Sequence, residues 1–192
     1  MSRLWASARQ ANGDARNFFD GLPTKTALTL CDSCYSIIRQ HGAAAVDAVN
    51  QGRIDENVEN TVEATVLLSG LGFESGGLAL AHSLTRGLTA QAEVQNALHG
   101  ELVAWGLLVQ LVAEGRSRSF IEDILTFYHR LGLPTRLEDL GFSNPDQSTI
   151  SDIATTTHRE APYVANMRKK MSAEGIVKCI NDTESLTSPD TR

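Results

Sequence analysis

Residues 99–113 read HGELVAWGLLVQLVA, and no other stretch constrains the fold as tightly. Leu102, Val103, Trp105, Leu107, Leu108, Val109, Leu111 and Val112 occupy almost every side of a helix drawn through them. A helix that is apolar all round has no face for water, so it must lie at the centre of a folded unit. It is also shorter than the ~18–20 residues a helix needs to cross a bilayer. What surrounds it must bring apolar stripes of its own.

The neighbouring segments have those stripes at helical spacing. Residues 24–40 place Ala27, Leu28, Leu30, Cys31, Cys34, Ile37 and Ile38 at i, i+3, i+4 and i+7, with Pro23 just before and His41-Gly42 as a stop. A short helix is expected at 43–50. Asp55 reads as the cap of a helix over 56–69, with Val58, Val62, Val66 and Leu67 turned inward and glycines 70, 72, 76 and 77 breaking it. Helices are expected from Gly77 to Leu88, over 118–131 with Gly132 as the stop, over 147–159 behind Asp146, and over 173–183 behind Ser172. Leu137 to Leu140 makes one turn. Leu4, Trp5 and Ala8 are spaced as if a helix were already under way at Met1. No alternating strand pattern of useful length occurs. The expected fold is all-α, a bundle of roughly eight helices over residues 1–184, followed by a disordered tail over 185–192.

Composition narrows the function. The 192 residues carry a net charge of −6, against a phosphate-backbone partner. No membrane span and no secretory leader is visible, and three cysteines do not make a disulfide framework, so a reducing, cytoplasmic setting is the default. Gly70, Gly72 and Gly76 are spaced G-x-G-x-x-x-G after a helix, which is neither the spacing nor the context of a dinucleotide-binding turn.

Chemistry-bearing residues are few. His82 sits in a glycine-rich stretch, GLGFESGGLALAHSLTRGLTA, and His99 follows seventeen positions later. Each alone reads as an ordinary helical histidine, and the spacing is no standard local zinc pattern. Two helices of a bundle can still bring two such residues to one ion. A catalytic zinc takes three protein ligands, so the pair is one short. Cys31 and Cys34 form C-x-x-C inside a helical pattern and read as small core residues. Cys179 reads as core. His41 reads as a helix end, and His129 and His158 as solvated positions.

The phrases GLGFESGGLALAHSLTRGLT and LHGELVAWGLLVQLV resemble the C-terminal domain of glycerol dehydrogenases, members of the group III, or iron-containing, alcohol dehydrogenase superfamily. The family phrases are of the form GFESGGLAAAH-x-x-HNGLT and HGEKVAFG. The match is dense over residues 66–112, runs more loosely through Leu131-Gly-Leu-Pro134 to Leu140, and can be laid over roughly 170 of the 192 residues. This chain departs from the phrases at Thr85, Arg86, Leu102 and Trp105, and carries Ala165-Asn166-Met167-Arg168 where the family has HNMP.

The resemblance implies an NAD-dependent oxidoreductase that converts glycerol, or a similar small polyol, to dihydroxyacetone. In such enzymes an α/β domain binds NAD and a helical domain holds zinc, or iron in some relatives, through one aspartate and two histidines. The histidines fall on His82 and His99. The aspartate belongs to a phrase whose tryptophan aligns with Trp5, which puts it immediately before Met1. On this reading the chain begins after its first metal ligand, lacks the nicotinamide domain, and is inactive alone. A homo-oligomer is compatible with the family. A sibling dehydrogenase for another small alcohol or hydroxy acid, and a non-catalytic helical module, are the alternatives.

Overall fold

The computed structural model describes residues 15–188, and the region of Leu4, Trp5 and Ala8 lies outside them. Among the described residues all regular structure is helical: α1 Lys25–Asn50, α2 Glu56–Glu63, α3 Ser69–Gly76, α4 Leu80–Thr89, α5 His99–Ala113, α6 Arg118–Leu131, α7 Gln147–Glu160 and α8 Ala173–Thr187. A π turn, Ala64–Leu68, joins α2 to α3. The all-α expectation holds. The described residues fall into two compact units, one up to Leu78 and one from Ala79 on.

The first unit packs through small residues. Helix α1 does not stop at His41-Gly42; it continues through both for 26 residues. A mid-helix glycine costs only about 1 kcal/mol, and the alanines that follow are strong helix formers. The buried positions of α1 are Ala27, Gly42, Ala43, Ala45 and Ala48. Opposite them, a Cβ on Gly72 would lie 2.7 Å from the Cys31 Sγ, and one on Gly76 would lie 3.3 Å from it. The Cys34 thiol donates to the Ala64 carbonyl at 3.2 Å. Glycines 70, 72 and 76 therefore do not break the helix. Gly72 and Gly76 let it approach α1, and the break comes at Gly77, whose φ of 97° is a left-handed setting that suits glycine.

This close approach corrects a second expectation. Asp55 caps α2 as expected, accepting from the Asn57 and Val58 amides at 3.0 and 3.3 Å. Val62, Val66 and Leu67, however, are 50%, 74% and 51% exposed. The inward position is Ala64, fully buried. A seam built from alanine, glycine and cysteine leaves no depth for valine and leucine, so the bulky side chains face out.

The second unit has the conventional core. Leu80, Leu84 and Leu88 of α4, Trp105 and Val109 of α5, Ile153 of α7, and Ile176 and Ile180 of α8 are all fully buried in one cluster. Helix α5 is central, as its pattern requires. Gly132, with φ of 66°, closes α6. Asp146 and Ser172 cap α7 and α8 by accepting from Thr149 and Gly175 amides at 2.8 and 3.2 Å. Helix α8 runs on through Thr187, so residues 185–187 of the expected tail are helical. Their hydroxyls bond back one turn, Ser185 Oγ to the Asn181 carbonyl at 2.9 Å and Thr187 Oγ1 to that of Thr183 at 3.0 Å. No single helix among the described residues is long and apolar enough to cross a membrane.

Candidate metal centre

Helix α4 starts at Leu80, so His82 is its third residue; α5 starts at His99 itself. Both histidines thus stand at helix N-termini, where unpaired amides concentrate positive partial charge. The two helices lie together in the second unit and bring the imidazole rings to 5.9 Å between centroids, tilted by 54°. His82 is half-buried and His99 exposed.

Each start is held in place by a specific contact. The Glu101 carboxylate reaches back and accepts from the Leu98 amide at 2.7 Å, which fixes the backbone just before His99. The Thr85 hydroxyl donates to the His82 carbonyl at 2.7 Å. The Ala81 amide, which no residue of its own helix can serve, donates to Gln110 Oε1 of α5 at 2.9 Å.

Electrostatics favour neutral imidazole at His82. Burial, and then the neighbouring His99, push its pKa down to about 4. The helix N-terminus acts in the same direction, since it disfavours a cation. A neutral imidazole has a free nitrogen lone pair, the form a metal takes. Two imidazoles that share one tetrahedral ion through Zn–N bonds of about 2.1 Å have ring centres about 5.3 Å apart. The observed separation of 5.9 Å is wider than that by about 0.6 Å. Among the described residues no group of three or more His, Cys, Asp or Glu side chains could hold a metal ion, so the pair supplies two positions and no more.

The other candidates fall elsewhere. Cys31 and Cys34 are free thiols in the seam of the first unit, both pushed up in pKa mainly by burial, as core thiols are. Cys179 is half-buried against the main cluster. His41 is no helix end; it lies inside α1 with Nδ1 3.0 Å from Asn57 Oδ1. His129 and His158 are exposed in the last turns of α6 and α7. Leu102, where the resembling phrase has lysine, is buried in the main cluster. Trp105, at the phenylalanine position, is fully buried with its indole N–H donating to Glu184 at 3.0 Å.

Sequence reasoning passed over Gln110, Glu114, Glu101 and Glu184. For Gln110 a signal exists: it is the one polar residue in the apolar run from Leu102 to Ala113. A buried amide in such a run must have partners. Nothing local marks Glu184, whose partners lie 79 and 47 positions away.

No family model matches the chain. Its sequence is 46% identical over 155 residues to a glycolaldehyde reductase of Halobacterium salinarum, covering 81% of this chain and 42% of that protein. It is 34% identical over 183 residues to a glycerol dehydrogenase of Citrobacter freundii, covering 95% of this chain and 50% of that one. Its fold superposes on the crystal structure of a probable glycerol dehydrogenase from Sinorhizobium meliloti with a TM-score of 0.89 at 30% identity, over 96% of this chain and 50% of that chain. Glycerol dehydrogenase from Schizosaccharomyces pombe gives the same TM-score at 31% identity. The chain spans about half the length of the curated relatives it matches. Sequence and fold together place it in the glycerol dehydrogenase family, as a counterpart of the family's C-terminal helical domain.

Proposed function

We propose that this chain is the metal-holding half of an NAD-dependent oxidoreductase for small polyols, with His82 and His99 as two ligands of a divalent ion. The observation that carries the reading is the juxtaposed pair itself, two imidazoles 5.9 Å apart at the starts of two helices. The glycerol dehydrogenases among its relatives supply the substrate class: glycerol in one direction, dihydroxyacetone in the other. Zinc suits two imidazoles and a carboxylate, and iron accepts the same set.

His82 and His99 would hold a divalent ion, whose contribution would be Lewis-acid polarisation of a substrate hydroxyl. The protein's share is to keep His82 neutral by burial, to set the spacing of the two rings through α4 and α5, and to hold the start of α5 with Glu101. Hydride exchange with nicotinamide is the cofactor's chemistry, and no residue of this chain is assigned to it. With two ligands and no assigned nicotinamide site, the chain alone is expected to give no turnover.

A second reading has its own support. The Halobacterium salinarum relative is a glycolaldehyde reductase at 46% identity. Thr85 and Arg86 replace the histidine and asparagine of the resembling phrase one turn after His82. The relative's name offers a two-carbon hydroxyaldehyde as the alternative substrate, and the two replacements leave room for a substrate other than glycerol. A chimaera tests both readings. This chain would replace the matching half of the Citrobacter freundii glycerol dehydrogenase, and NADH oxidation would be followed with dihydroxyacetone and with glycolaldehyde. Zinc-dependent turnover that disappears in His82→Ala supports the metal-holding reading, and the preferred substrate chooses between the two. Turnover unaffected by His82→Ala and His99→Ala would reject it.

A further inference from the structure

We infer that Gln110 is a positioning residue for the histidine pair, a clamp on α5 that fixes where α4 presents His82. The inference rests on the reading of His82 and His99 as metal ligands. Its basis is a set of contacts in the second unit that the helices do not need for their own formation.

Helix α4 starts at Leu80 without a side-chain cap of its own. The amide of Ala81, the residue before His82, is therefore an orphan donor. Gln110 lies one helix away and is only 5% exposed. Its Oε1 accepts from that amide at 2.9 Å, across 29 residues of sequence. Its Nε2 donates to Glu114 Oε1 at 2.9 Å. Arg116 Nε in turn donates to the other Glu114 oxygen at 3.1 Å. The direction of the amide is unambiguous, since an N–H on one side can only donate and a carboxylate on the other accepts.

The same piece of backbone is gripped from a second direction. A Cβ on Gly106 of α5 would lie 2.5 Å from the Ala81 carbonyl oxygen. Helix α5 therefore lies against the Ala81 carbonyl at Gly106 on one turn and accepts from the Ala81 N–H through Gln110 on the next. His99 begins that same helix. The two contacts fix the register of α4 against α5, and with it the distance between the ring of His82 and the ring of His99. A buried polar chain is a costly way to fill a core, because every member must be satisfied. Here the cost places one peptide group directly before a ligand.

The test uses the whole chain and two readouts, one of which needs no metal. Gln110→Met keeps the volume and removes the acceptor. The Ala81 amide should then lose its hydrogen-exchange protection. The ring carbon-bound proton signals of both histidines should move, because each ring feels the other. Zinc affinity, titrated with zinc alone, should weaken roughly tenfold or more, the usual range for groups that orient metal ligands. Glu114→Gln retains an acceptor for the Gln110 amide and should leave the ring signals close to those of the parent chain. Should Gln110→Met not fold, Glu114→Leu frees the Gln110 amide at a less buried position and should shift the same signals in the same direction. Ring signals and zinc affinity unchanged in a folded Gln110→Met, with only the melting temperature lowered, would overturn the inference. Moved ring signals in a chain that binds no zinc would uphold the clamp and overturn the metal reading.

Discussion

Gly106→Ala is the substitution whose outcome follows most directly from the packing of α4 on α5. The added Cβ would sit 2.5 Å from the Ala81 carbonyl oxygen and 3.2 Å from the Ala81 carbonyl carbon and Cα. Ordinary contact starts near 3.4 Å, so the helices must part by about 0.9 Å. The obstacle is backbone, which cannot swing aside as a side chain would. Overpacking of this kind costs about 1–3 kcal/mol. The parting also stretches the Gln110–Ala81 hydrogen bond, worth about 1 kcal/mol. Against both stands a helix-propensity gain of about 1 kcal/mol. The net loss is about 1–3 kcal/mol, seen as a fall in Tm of about 3–10 °C. Gly70→Ala is the matched control. It lies in α3 with nothing within 4 Å of the new Cβ, so only the propensity gain remains and stability should rise. Thermal denaturation of the three proteins by circular dichroism checks the pair. A Gly106→Ala protein as stable as the parent, or a Gly70→Ala protein that melts lower, would refute the reasoning.

Other outcomes follow from the same contacts. His82, pushed down to about 4, stays neutral in the folded chain while the unfolded chain takes up a proton near 6.5. Its contribution is complete above about pH 6.5 and is lost as pH falls from there toward 4, about 3 kcal/mol in all. Urea unfolding of the metal-free chain at pH 7.5 and 4.5 should show a larger loss for the parent than for His82→Ala. Glu184 accepts from the Trp105 indole at 3.0 Å and from the Leu137 amide at 3.1 Å. Glu184→Ala strands both donors and should cost about 2–5 kcal/mol, while Glu184→Gln should recover part of it, read from urea midpoints. Gly87→Ala places a Cβ against the Ile153 carbonyl and Thr157 Oγ1, both backed by the core, and should destabilise at least as much as Gly106→Ala.

The second unit was legible in the sequence because its helices carry their own signals. Helix α5 is apolar on all sides, α6 ends in a glycine with φ of 66°, and Asp146 and Ser172 sit where caps belong. The first unit was harder to read because periodicity measures apolarity and not depth. Val62 and Val66 have the right spacing to be buried, yet the seam was set by Ala64, Gly72 and Cys31, whose small size brings the backbones together. Glycine was likewise ambiguous: Gly77 turns the chain, while Gly72 and Gly76 admit a neighbour, and only the neighbour's position tells them apart. For the site, the two histidines were legible through the phrases around them. The contacts that join their helices were not, since Gln110 and Gly106 meet Ala81 across 29 and 25 positions respectively.

The claim on which the rest depends is that His82 and His99 share one ion. Calorimetric titration of zinc into the purified chain, and into His82→Ala and His99→Ala, tests it most directly. The account predicts a single zinc site that is lost in both variants and weakens as the pH is lowered through the histidine range. No heat of binding in the parent chain, or binding that survives both substitutions, would contradict it.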